Sequence, residues 1–138
     1  MCHFKNKTMI RADELMLGDW LKYETFDKIV KVTALYGSMV NTNVVTPLFP
    51  DDLEPIPITP KILEKNGFEL KADGWLWSTE GLEDQNYIFI QFRKGCEGVR
   101  NCEINFIHRA QFTFKQMYFV HELQHALKLC GIPKNIEL

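Results

Sequence analysis

The sequence predicts an α+β protein: a small N-terminal SH3-like β-barrel or meander, a proline-rich connection, then an antiparallel sheet with a C-terminal helix packed across it. Three observations lead there. Short runs rich in β-branched and aromatic residues alternate with turn signals between residues 20 and 45. Five of the six prolines crowd between Thr46 and Pro60. Residues 115–130 carry the one long helical periodicity, after a series of period-2 segments. The corresponding divisions are 1–46 for the β unit, 47–60 for the connector and 61–138 for the sheet and helix.

In the first division, Asp13–Leu17 reads as a short helical or turn element and Gly18-Asp19 as a turn. Trp20–Tyr23 begins a strand, Lys28–Tyr36 is the next, and Gly37-Ser38 turns the chain into a third at Met39–Val45. In the connector, Pro47, Pro50, Pro55, Pro57 and Pro60 fix φ and remove donors, so the stretch should be extended and outside any central strand.

Thr59-Pro60 has the form of an N-cap followed by proline at N1, opening a helix through Asn66 that Gly67 stops. Phe68–Leu70 and Trp75–Trp77 flank an Asp73-Gly74 turn and form a hairpin. Asn86–Arg93 alternates cleanly, with residues 88, 90 and 92 on one face and 87, 89 and 91 on the other. Cys102–Ile107 is a further strand, which residues 108–114 extend or follow with another, for three to five strands in all. The last helix places Phe119, Val120, Leu123, Ala126, Leu127 and Cys130 on one arc. Opposite them lie Tyr118, His121, Gln124, His125 and Lys128, a side expected to meet water. Gly131 followed by Pro133 ends it.

Composition is that of an ordinary globular chain: 138 residues, 46% hydrophobic, 25% charged, net charge −2. There is no basic surplus to bind nucleic acid non-specifically. Cys2, Cys96, Cys102 and Cys130 are few and scattered, and no signal peptide is recognisable, so free thiols in a cytoplasmic setting are expected. No stretch is apolar enough to span a membrane.

One string names a chemistry. His121-Glu122-Leu123-Gln124-His125 spells H-E-x-x-H, which on a helix can present two histidines to zinc and a glutamate to a metal-bound water. A zincin needs a third protein ligand. Only 13 residues (138 − 125) follow His125, with Glu137 their one carboxylate side chain, and Lys128 and Gly131 occupy the metzincin glycine and third-histidine positions. Upstream candidates are His108, Asp84 and Glu83, none with a spacing that recommends it. Cys96 and Cys102 with His121 and His125 give a stretched C-x5-C-x18-H-x3-H, equally weak evidence for structural zinc and for a disulfide.

Other constellations point to structure. Trp20, Tyr23 and Tyr36 are a candidate binding surface, though such aromatics more often close a small core. Cys102 or Cys130 beside a histidine reads as a buried thiol before it reads as a nucleophile. Glu80, Glu83 and Asp84 sit in a polar loop and are expected to be solvated.

The strings Leu15-Met16-Leu17-Gly18-Asp19-Trp20, Pro55-Ile56-Pro57-Ile58-Thr59 with Ile62-Leu63 and Gly67-Phe68, and Tyr118–Leu127 follow one another in an order that resembles a family of short uncharacterised proteins from gut Bacteroidetes and their phages and integrated mobile elements. The resemblance covers most of the chain. It implies terminal-helix variants with Gln at position 122 or Asn at position 125, which would neither hold zinc nor activate water, and it brings no site residues. The expectation is therefore a non-enzymatic binding or adaptor protein of a phage or mobile element, without a cofactor, engaging protein or nucleic acid. The alternatives are a zinc-dependent metallopeptidase, with His121 and His125 as ligands and Glu122 as base, and a structural component of a phage particle.

Overall fold

The computed structural model describes residues 10–44, 47–71, 74–78, 87–93, 103–108, 112–114, 117–132 and 134–138. They form two compact units: one takes residues 10–57 together with Phe119–His125, the other the described residues of Ile58–Tyr118 and Ala126–Leu138. The protein is mixed α+β, with antiparallel sheets and a C-terminal helix.

The first unit is built on four strands, β1 (Trp20–Tyr23), β2 (Lys28–Tyr36), β3 (Met39–Thr42) and β4 (Leu53–Glu54), in the order β3-β2-β1-β4. β1 meets β2 with Trp20 opposite Lys31 and Leu21 opposite Val30. Leu21 and Val30 point inward and join Ile10, Leu15, Val32, Val40, Leu48 and Leu53 in one apolar core. An irregularity between Val32 and Ala34 breaks the β2–β3 register. The extra residue on β2 shifts its alternation, so that Leu35 rather than Ala34 stands opposite the buried Val40.

Among the described residues the sheet is not a closed barrel. β4 is only two residues long, and its neighbour Pro55 has no N–H to extend the ladder. Leu48 does make a single antiparallel bridge to Val40 on the far edge strand. The proline stretch is less extended than the sequence suggested, since Pro50–Asp52 forms a 3-10 turn between Leu48 and β4. Its Leu48 and Leu53 are core residues of this unit.

The second unit opens with α1 (Pro60–Lys65), capped as its sequence predicts: the Thr59 hydroxyl accepts from Ile62 N–H at 3.2 Å, with proline at N1. Phe68 N–H returns to Leu63 O and Gly67 N–H to Glu64 O, closing the C-terminus. Five antiparallel strands follow in sequential order, β5 (Glu69–Lys71), β6 (Gly74–Ser78), β7 (Tyr87–Arg93), β8 (Glu103–His108) and β9 (Phe112–Phe114). Ile88 and Ile90 are fully buried, in keeping with the predicted alternation of β7. Asp73, half of the expected hairpin turn, lies outside the described residues.

α2 (Val120–Leu129) begins later than its periodicity suggested and ends where predicted. Gly131, at φ +68, adopts the left-handed conformation that lets its N–H reach Lys128 O and Ile132 N–H reach Leu127 O. The tail beyond is tied down by Asn66, whose side-chain amide accepts from Glu137 N–H at 2.7 Å and donates to Glu137 O at 2.9 Å.

Candidate functional site

The H-E-x-x-H string occupies the first turns of α2, and the first unit supplies what surrounds it. Gly18 takes φ +89, which few side-chain-bearing residues accept, and turns the chain so that Asp19 and Trp20 enter the sheet. Gly18 N–H donates to Val32 O and Val32 N–H to Asp19 O, each at 2.9 Å, fixing this segment beside β2. Asp19 is fully buried, and its Oδ2 accepts from Met16 N–H at 2.9 Å.

Each polar residue of the string meets a specific partner. Glu122 lies at position N3 of α2, and its Oε1 accepts from Phe119 N–H at 3.0 Å. This is the reach-back half of a capping box, and it satisfies a donor the helix cannot. The same device recurs where Glu14 accepts from Arg11 N–H and where Asp52 accepts from Phe49 N–H. Gln124 forks onto the backbone: Trp20 N–H donates to its Oε1 at 2.9 Å, and its Nε2 donates to Gly18 O at 2.8 Å. That is the pair of bonds a residue of a parallel strand would make on either side of Asp19. His125 Nε2 lies 2.9 and 2.8 Å from the two carboxylate oxygens of Asp19.

His121 differs. Its ring stacks at 13° on Phe119 and meets His125 edge-on, with centroids 6.1 and 5.6 Å apart respectively. Its Nε2 is 4.0 Å from a Glu14 carboxylate oxygen, and its buried Nδ1 has no hydrogen-bond partner among the described residues. Burial pushes its pKa below the ordinary 6.5. Asp19, Glu122 and Glu14 pull the other way and His125 adds to the lowering, so the ring is neutral near pH 7.

This overturns the expectation that both imidazoles face water. His121 is 3% exposed, as deep as the apolar residues across the helix. The wheel located the apolar arc correctly: Val120, Leu123, Ala126 and Leu127 are all buried. It failed on the opposite side because hydrogen bonds from residues 18–20 to Gln124 and His125 hold another segment against it.

The other sequence-derived candidates are dispersed. Trp20 has Lys31 Nζ over its ring at 5.2 Å. Tyr23 points to the opposite face of β1, packs on the core and meets Phe26 edge-on at 5.3 Å. Tyr36 is 60% exposed, its hydroxyl 3.4 Å from Asn41 Nδ2. Cys130 is half-buried, and burial raises its thiol pKa, the opposite of what a nucleophile needs. His108 is placed on β8 without a described side chain, and Glu80, Glu83, Asp84, Cys96 and Cys102 lie outside the described residues.

Zinc can be weighed against these contacts. A ligating His125 Nε2 would have to surrender Asp19, and Glu122 as base would have to leave the helix cap. No group of three or more His, Cys, Asp or Glu side chains among the described residues is arranged to hold a metal ion. Asp19, Glu14 and Gln124 were not recognised from sequence as partners of the string. The signal was the presence of Gly18-Asp19-Trp20 and His121–His125 as two separate distinctive strings, and nothing in a single sequence links them. No family model, curated protein or solved structure matches the chain.

Proposed function

We propose that the protein is a non-enzymatic binding or adaptor module, of the kind its resemblance to phage and mobile-element proteins suggests, and that H-E-L-Q-H serves as a docking string. The supporting observation is the commitment of its side chains: Glu122 to Phe119 N–H, Gln124 to Gly18 and Trp20, His125 to Asp19. An enzyme of this motif class needs two of these groups, the Glu122 carboxylate and the His125 Nε2, free for water and metal. The Leu48–Val40 bridge across the first sheet supports a barrel of SH3-like character for the unit that would present the binding surface. No helix among the described residues is long and apolar enough to cross a membrane, and the cytoplasm is the proposed setting.

A zinc-dependent hydrolase is the second reading. What favours it is the buried, unpartnered Nδ1 of His121, on a ring whose Nε2 lies 4.0 Å from a Glu14 carboxylate oxygen. Digestion of a peptide library with and without added zinc, comparing wild type with Glu122→Gln, separates the two. The adaptor reading expects no cleavage that depends on Glu122, and zinc-stimulated cleavage abolished by Glu122→Gln overturns it. A shift assay with duplex and single-stranded DNA over a salt series tests nucleic acid as the partner, and the net charge of −2 argues for weak affinity.

A further inference from the structure

We draw no further inference here: the strongest candidate, the cluster at the first turns of α2 in which buried Asp19 and His121 meet half-buried His125 and exposed Glu14, belongs to the site already described, and nothing among the described residues shows what ligand the unpartnered Nδ1 of His121 would meet.

Discussion

His125 Nε2 sits within 2.9 Å of both carboxylate oxygens of Asp19, a residue 106 positions away and fully buried. A carboxylate removed from water is costly unless its lone pairs are occupied. Here His125 and Met16 N–H occupy them, so the contact between the two strings is an obligatory pairing. Asp19→Ala leaves the imidazole and the Met16 amide without this partner and should destabilise the protein by about 2–3 kcal/mol. Urea denaturation of the two single mutants and the double mutant Asp19→Ala/His125→Ala should give a coupling energy of about 1–3 kcal/mol. Simple additivity would mean that the pair contributes nothing.

Gln124 makes one bond as acceptor and one as donor, so the two substitutions at this position should rank. Gln124→Ala leaves Trp20 N–H and Gly18 O without their partner, at a cost of about 1–2 kcal/mol. Gln124→Glu should be worse, because it keeps the acceptor, removes the donor and faces a carboxylate with a carbonyl oxygen. Thermal melts at neutral pH decide the order.

Glu122 supplies an acceptor to the helix start, a role glutamine also fills. Glu122→Gln should therefore stay within ~0.5 kcal/mol of wild type, and Glu122→Ala should lose about 1 kcal/mol. Equal losses from both, seen by circular dichroism on urea titration, would remove the capping assignment.

The buried His121 makes stability depend on pH. Its folded-state pKa lies below the unfolded value of 6.5, so the unfolded chain binds more protons in that interval. Stability is complete above about pH 6.5 and falls as the pH drops from there toward the folded-state value. The groups facing the ring are Glu14, Asp19, Glu122 and His125, and the first three reduce the effect without reversing it. Denaturation midpoints between pH 7.5 and 5 should decline in wild type and decline less in His121→Phe. Identical profiles would show that His121 does not titrate as described.

Much of the architecture was legible because it rests on local rules. Lys28–Tyr36 is a strand with the boundaries its β-branched run suggests. Thr59-Pro60 and Gly67 bracket α1, and Gly131 ends α2. The course of the proline stretch was less legible, since proline fixes φ without saying that Leu48 and Leu53 would be drawn into the first core. Least legible was the polar side of α2. A helical wheel sorts residues by angle and is silent about what covers each side. What covered that side was the segment Gly18–Trp20, about a hundred residues upstream, which bonds Gln124 and His125.

The most direct test is the metal content of protein purified without chelator and then equilibrated with stoichiometric zinc. If the histidines serve docking, zinc should be far below one per chain, and neither zinc nor chelator should move the melting temperature. About one zinc per chain, lost in both His121→Ala and His125→Ala, would contradict the account.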